Sequence, residues 1–469
     1  MPNEWGFGMK WFRILGFLLT LAVCQRVQAQ TSTINWTDQH QQIDGWGAST
    51  GYQERNDNMT SAQADCYFLS SSNGSCANAP SIGLEWIRIQ DNGSATSAPD
   101  LPTLQEAVAR GAQVFITFED ITNSSAYASY IVSKIQYLQS NGVPITYLST
   151  VNEPGDQSVS AGEIDSFIAT YLHPALAAGG LSTPIVIPEN AFWFDSTSDC
   201  SAFGSTCYDW TTPCMNDSNC SPYVPIVAGH GYTATSNSQY FPSDWAACCA
   251  IYTANPPPSS IGSRHVWMTE IAGGYSGPCT SYSGEATYDA SMTDALVWAQ
   301  NINDFLTLAN GSAWMYWNLA AETHFGSPDC NDGLTASTFV PAQRFYVVGN
   351  WSKFIRPGDY RIDSTVNPQS GVYVTAFNQT SSGDLVIVAI NQNSSATSQT
   401  FALTNAPTFT SVTPYITSSS LNLAAQSSQS VSSNSFTYTL PADSVTSFVG
   451  NASSSNTPAP PTELTAKVQ

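Results

Sequence analysis

The stretch ITYLSTVNEPG, at 145–155, reads as a short apolar strand that stops abruptly in Asn152, Glu153 and Pro154. Proline lacks the amide hydrogen a central strand needs, so the polar pair is fixed at a strand end. A carboxylate held there is placed for acid/base work. A second segment, RHVWMTEIAGG at 264–274, has the same grammar and ends its apolar run in Glu270. Whether Glu153 and Glu270 face one another depends on how many such units the chain contains.

Working outward, apolar strand patterns recur at 43–48, 85–90, 113–118, 146–151, 184–187, 226–229, 265–269 and 312–317. Helical patterns such as LPTLQEAVARG, SYIVSKIQYLQSNG and YDASMTDALVWAQNINDFLTLANG lie between them, the last two closed by glycine as helix stops are. Apolar strands joined by helix-length crossovers predict a parallel sheet covered on both faces. Eight such units over 43–351 predict an α/β fold, a (β/α)₈ TIM barrel. The alternative is an open doubly wound sheet, disfavoured because no glycine-rich phosphate loop follows the first strand.

Beyond the barrel the pattern changes. GVYVTAFNQ, GDLVIVAINQN and SFTYTLPADSVTSFVG alternate with period two between Ser/Asn/Gly turns, predicting a side all-β sandwich over 352–450. The early strand at 30–42 is expected to join it, and the Ser/Pro-rich tail at 451–469 reads as disordered. At the other end, Lys10 and Arg13 precede an apolar run from Ile14 to Cys24, with small residues up to Ala29, so 1–29 reads as a signal peptide and the protein as secreted. A lipid anchor at Cys24 is the weaker alternative, since Val23 fits that site poorly. No later stretch is long and apolar enough for a membrane span.

Removing the leader takes the net charge from −22 to −24, because Lys10, Arg13 and Arg26 leave with Glu4. An acidic surface poor in lysine disfavours nucleic acid and anionic membranes as partners. Charged residues are 10% of the chain and neutral polar ones are abundant, which suits a partner that is itself neutral and hydroxyl-rich. Of eleven cysteines, ten remain after the leader, an even number in an export context. Cys66 with Cys76 is a plausible local pair. Cys200, Cys207, Cys214 and Cys220 lack the paired spacing of a zinc site, so disulfides are expected there and no metal. Sequons stand at Asn35, Asn92, Asn310 and Asn350.

In such a barrel the chemistry sits at the C-terminal strand ends. Found there are Arg88, then Glu119 and Asp120, Asn152 and Glu153, Glu189 and Asn190, His230 and Tyr232, Glu270, and Trp317 with Asn318. Strands four and seven lie roughly across the mouth, so Glu153 and Glu270 approach one another. Two facing carboxyls, one protonated and one ionised, are what glycoside hydrolysis requires.

Together the motifs QIDGWGAS, TVNEP, AGHGY, VWMTE, AWMYWNLAAETHF and RFYVVGNWSKFIRPGDYRID resemble glycoside hydrolase family 30, a family of retaining barrel glycosidases, over residues 32–450. The resemblance implies a barrel fused to a β-sandwich fed by both chain ends, with Glu153 as acid/base and Glu270 as nucleophile. On that reading Asn152 contacts the 2-hydroxyl, Tyr232 orients Glu270 and Arg88 keeps it ionised. Trp317 and Trp46 offer flat faces to a pyranose, and His230 completes the substrate contacts. Bland readings compete: Arg88 as a buried ion-pair partner, His230 as a core histidine, Trp46 as core, and Glu119, Asp120 and Glu189 as strand-end caps.

The family's substrates are β-1,4-xylan, β-1,6-glucan, β-1,6-galactan and β-glucosides. Its glucuronate-reading xylanases use an arginine near the eighth strand. Between Arg264 and Arg344 this chain has neither lysine nor arginine. The expectation is therefore an endo-β-1,4-xylanase not strictly dependent on glucuronate branches, a monomer acting on a polysaccharide or oligosaccharide without a cofactor. An endo-β-1,6-glucanase, a galactanase or a β-glucosidase is the alternative within the family. A non-catalytic carbohydrate-binding surface protein is the alternative outside it.

Overall fold

The computed structural model describes residues 30–51, 58–70, 80–91, 93–119, 121–155, 157–194, 210–233, 259–272, 288–321, 330–379 and 382–452. The leader, most of the C-terminal tail, Asp120 and the cysteines at 76, 200, 207, 248 and 249 lie outside them, so expectations that rest on those residues are not addressed. Among the described residues no helix is long and apolar enough to cross a membrane.

Strand β1 (Thr31–Gln42) precedes a closed parallel barrel of eight strands. These are β2 (Gly45–Ser49), β3 (Trp86–Gln90), β4 (Gln113–Thr117), β5 (Ile145–Ser149), β6 (Ile185–Phe194), β7 (Ile226–Thr233), β8 (His265–Glu270) and β9 (Ala313–Tyr316). Each strand pairs with the next, and β2 closes the ring on β9 in the register Trp46 to Trp314. Short strands β10 (Asn318–Ala320) and β11 (Gly333–Thr335) pair beside the mouth.

Side chains alternate across a strand, and this parity sorts the barrel residues into two cores. Trp86, Phe115, Val186, Ile226, Ala228, Trp267, Ala313 and Met315 fill the barrel interior, with Tyr147 against them. Trp46, Ala48, Ile87, Ile89, Trp314 and Tyr316 face the helix layer instead. Gly47 is required by this packing, because a Cβ there would lie 2.6 Å from the Cβ and 2.8 Å from the carbonyl oxygen of Trp86. Trp86 and Trp267, with ring centroids 5.0 Å apart, fill the space Gly47 vacates.

The C-terminal part holds β12 (Tyr360–Ser364), β13 (Val372–Asn378), β14 (Leu385–Asn391), β15 (Thr397–Thr404), β16 (Ser411–Ser418), β17 (Leu421–Ala425), β18 (Gln429–Ser430), β19 (Ser435–Leu440) and β20 (Ser444–Gly450). The two layers of the expected sandwich are hydrogen-bonded into one ten-stranded sheet, in the order β17-β16-β20-β14-β13-β12-β1-β15-β19 with β18 on β16. It curls on itself: Phe436 of β19, at one end of that order, lies 5.2 Å from Phe448 of β20 near the other. β1 runs antiparallel to β12 and parallel to β15, so the two ends of the described chain share this sheet.

β14 reads LVIVAIN without a polar break because both its faces are covered. Leu385, Ile387 and Ala389 point into the curl, whereas Val386, Val388 and Ile390 join the core shared with the barrel's helices. Between barrel and sheet lies the helix Gln343–Ser352, every residue of which after Gln343 is buried. Asn350 within it donates to the carbonyl of Tyr415 at 3.1 Å and to Ser447 Oγ at 2.8 Å. Its sequon is thus inaccessible to a glycan, which corrects the sequence expectation, whereas Asn310 is exposed.

Candidate active site

Parity also places the first polar groups. Arg88 is two residues beyond Trp86, Thr117 two beyond Phe115 and His230 two beyond Ala228, so each continues the interior row of its strand toward the C-terminal mouth. Arg88 is fully buried and its guanidinium serves four acceptors. Nε donates to Thr117 Oγ1 and Glu189 Oε1, both at 3.1 Å, Nη1 to Glu270 Oε2 at 2.8 Å, and Nη2 to Asn152 Oδ1 at 2.8 Å. The planar fork of arginine can hold such a set in fixed directions, which an ammonium cannot.

Glu153 sits just past β5 with φ at 47°, in the left-handed region and immediately before Pro154. A non-glycine residue rarely adopts that conformation, and it costs on the order of 1–3 kcal/mol. The cost is met by tertiary contacts: Glu153 N–H donates to the Glu189 carbonyl at 3.0 Å, Asn152 N–H to that of Phe118 at 2.7 Å, and Gly155 N–H to Asn190 Oδ1 at 3.1 Å. Glu189 is itself left-handed, with φ at 56°. Three successive strand ends are thereby stapled to one another, and the strain holds the Glu153 side chain at the mouth.

Glu153 Oε1 lies 2.8 Å from His230 Nδ1. Tyr232 donates its hydroxyl to Glu270 Oε1 at 3.0 Å, and His230 Nδ1 is 3.6 Å from the same oxygen. One carboxylate oxygen each of Glu153 and Glu270 and a ring nitrogen of His230 lie within 4.8 Å of one another. Exposure separates the two acids: the side chain of Glu153 is 20% accessible and that of Glu270 6%. Trp317, half-buried at the end of β9, lies beside Arg88 with its ring centroid 5.8 Å from Cζ.

The electrostatics follow from three carboxylates around two buried cations. Burial alone would raise Glu189, but Arg88 and His230 outweigh it and hold the carboxyl at about 2. Burial alone would lower His230, but Glu270, Glu153 and Glu189 outweigh it and lift the imidazole to about 9. For Glu270 burial prevails and raises the carboxyl, against the pull of His230, Arg88 and Tyr232. His230 is therefore an imidazolium at neutral pH, and the triangle it forms with Glu153 and Glu270 is a proton site. A metal would need the neutral ring and would stand beside Arg88. The other close set, Asp165 with Cys214 and Cys220, has both sulfurs joined in a disulfide.

Seven of the eight residues singled out in the sequence therefore surround the barrel mouth: Arg88, Asn152, Glu153, His230, Tyr232, Glu270 and Trp317. Trp46 does not, and the expectation that it faces a sugar is corrected. It is 1% exposed, faces the helix layer, and spends its Nε1–H on the Ile355 carbonyl at 3.0 Å. The alternation in QIDGWGAS carried that signal, since Gly45 and Gly47 take the interior positions that Trp46 would need. Glu189 is fully buried beneath the acids, a charge partner of Arg88 that no substrate reaches. Thr117 was missed; it donates to Glu189 Oε2 at 2.7 Å, and only its parity with Phe115 marked it.

Residues 119–334 match the family model for O-glycosyl hydrolase family 30. The chain is 27% identical over 468 residues to the glucuronoxylanase XynC of Bacillus subtilis strain 168, covering 94% of this chain and 96% of that one. Among solved structures it is similar to the glycoside hydrolase family 30 subfamily 8 xylanase Xyn30A of Clostridium acetobutylicum, at 26% identity and a TM-score of 0.67, covering 90% of this chain and all of that one. A family 30 endoxylanase from Clostridium papyrosolvens C71 shares the fold at 24% identity and a TM-score of 0.66, with 90% of this chain and all of that one covered.

Proposed function

Because the chain belongs to O-glycosyl hydrolase family 30, we propose that it is a secreted retaining endo-β-1,4-xylanase in which Glu270 is the nucleophile and Glu153 the acid/base. The observation that carries this reading is the close approach of the two carboxylates, with oxygens within 4.8 Å. Retaining enzymes hold their carboxyls about 5–5.5 Å apart, whereas inverting ones leave about 6.5–9.5 Å for a water between acid and base.

The division of roles rests on what each acid touches. Glu270 is held on both oxygens, by Arg88 and by Tyr232, which aims it and opposes the rise that burial imposes on its carboxyl. Glu153 is more open and bonds to His230, a group able to take and return a proton. In the first step Glu270 attacks the anomeric carbon while the Glu153 carboxyl protonates the departing oxygen. In the second, Glu153 removes a proton from water as that water displaces Glu270, restoring both acids. Asn152 presents its Oδ1 to Arg88, so its amide N–H groups are directed to a sugar hydroxyl. Trp317 supplies an apolar face to the ring.

Xylan is the preferred substrate because of the likeness to the Bacillus glucuronoxylanase along nearly the whole chain. Independence from glucuronate branches is supported by the two arginines that flank the gap in basic residues. Arg264 stands at the opposite end of the barrel and donates to the carbonyls of Val224, Ile261 and Ser221. Arg344 is fully buried against Asp294, Asn331 and the Gly333 carbonyl. Neither is available to a substrate carboxylate. Secretion is supported by the Cys214–Cys220 disulfide and by the disulfide-bonded states of Cys66 and Cys330.

The test is a product catalogue from glucuronoxylan, arabinoxylan, β-1,6-glucan and arabinogalactan. Release of xylo-oligosaccharides of mixed length from both xylans is expected. Release from glucuronoxylan alone overturns branch independence, and release only from a β-1,6-glycan overturns the substrate.

A further inference from the structure

At the opposite end of the barrel, where the strands begin, lies a solvent-open cavity of about 430 Å³. It is lined by Asp44, Tyr147, Ser221, Ser263, Arg264 and His265 with proline and aliphatic neighbours, and its volume falls in the range of small-molecule sites. His265 begins β8 and Glu270 ends it, so the cavity and the acids are separated by roughly 16 Å at about 3.3 Å per residue.

The floor of this cavity is rigid. Asp44 Oδ2 accepts from His265 Nδ1 at 2.7 Å and from Trp267 Nε1 at 2.6 Å, and the Asp44 carbonyl accepts from Trp86 Nε1 at 2.8 Å. Tyr147 is packed edge-on against Trp267, centroids 5.0 Å apart, and half-buried. Among the described residues the Tyr147 hydroxyl, His265 Nε2, Asp44 Oδ1 and Ser263 Oγ have no hydrogen-bond partner. They mix donors and acceptors on an aromatic base. The one permanent cation, Arg264, is consumed by three carbonyls and Ser221 Oγ, and His265 is paired with Asp44, so nothing here attracts an anion. Neutral hydroxyls beside an aromatic ring are the ligand chemistry this lining matches.

We propose that this N-terminal mouth is a second, non-catalytic sugar site that binds a neutral oligosaccharide and tethers the enzyme to its polymer. The identity of that sugar rests on the xylanase reading; the existence of the site does not. A polymer held at one end of the barrel keeps the other end near further chain, which raises the local concentration of cleavable bonds without a new catalytic contact.

The test titrates xylohexaose into the Glu270→Gln protein, which binds without turnover. Two sites per chain are expected. Tyr147→Phe, added to that background, keeps the ring and should weaken one site by about three- to tenfold, the worth of one hydrogen bond. Ser263→Trp, at an exposed position, should fill the cavity and leave one site. In the active enzyme both substitutions should leave cleavage of a soluble aryl xylobioside unchanged while slowing release from insoluble xylan. A single site in the Glu270→Gln protein, or two sites indifferent to both substitutions, overturns the proposal. Failure of the xylanase reading appears separately, as no product from xylan; the titration is then made with the oligosaccharide the enzyme does cleave, and the same criteria apply.

Discussion

Arg88 Nη1 meets Glu270 Oε2 at 2.8 Å from a position with no solvent exposure, and the same guanidinium holds Glu189 and Asn152. One buried cation therefore favours the charged form of the proposed nucleophile against its burial, fixes the orientation of the proposed 2-hydroxyl ligand, and holds ionised an acid that no substrate touches.

Replacing Arg88 should act on folding and on rate together. Arg88→Met strands Glu189 and Glu270 without their cation, and breaking a buried pair in this way costs about 3–5 kcal/mol. Arg88→Lys should recover part of the stability but little of the rate, because one ammonium cannot reach four acceptors. Urea midpoints and kcat, measured on both variants, check this; a Lys variant with wild-type kcat would contradict the positioning role.

The two acids should fail differently. Glu270→Ala should abolish turnover of every substrate. Glu153→Gln should slow xylan cleavage by roughly 10²–10⁴-fold, the usual contribution of a general acid. That loss should shrink in the first step for an aryl xyloside, whose leaving group needs no proton, and added azide should restore turnover by replacing water. Comparing kcat/KM across leaving groups reads the difference, and an equal loss for all of them would reassign Glu153.

The pH dependence of stability has a sign fixed by His230 and Glu189. His230 is lifted from its ordinary range to about 9, so its contribution is fully present below about 6.5 and is lost as pH rises through 9. Glu189 is depressed to about 2, so its contribution is present above about 4.5 and is lost as pH falls through 2. Denaturant midpoints from pH 6 to 10 should decline in the wild type, and His230→Asn should flatten that alkaline limb while lowering the plateau beneath it. An alkaline limb unchanged by the substitution would show that His230 is neutral in the folded enzyme.

Gly231 lies between His230 and Tyr232, and a Cβ there would lie 2.4 Å from Ile271 Cδ1 and 2.9 Å from Met268 Sδ. Both contacts are side-chain ends that can shift, so Gly231→Ala should fold, at a cost of about 1–3 kcal/mol from overpacking. The displaced strand should move His230 and Tyr232 off their acids and lower kcat by more than it raises KM. Steady-state kinetics beside a thermal midpoint test this.

The eight-fold recurrence of strand and helix patterns, the two strand-end glutamates and the change to period-two alternation near residue 352 are all local signals. Each depends on which residues neighbour one another in the chain, so the sequence alone determined the barrel, the additional β-domain and the identity of the paired acids. Tertiary structure decided the rest. Whether two sheets or one curled sheet forms depends on β1 entering beside β15 across more than 350 residues of chain, a pairing no local pattern encodes. Trp46 and Trp317 both lie in apolar strand patterns, but closure of the barrel turned one toward the helices and left the other at the mouth. Glu189 looked like another strand-end acid; its low pKa exists only because Arg88, 101 positions earlier, and His230 converge on it inside the barrel, where all three are fully buried. Charges acquire their catalytic or structural meaning from what lies within a few ångströms of them, and only the folded chain sets those distances.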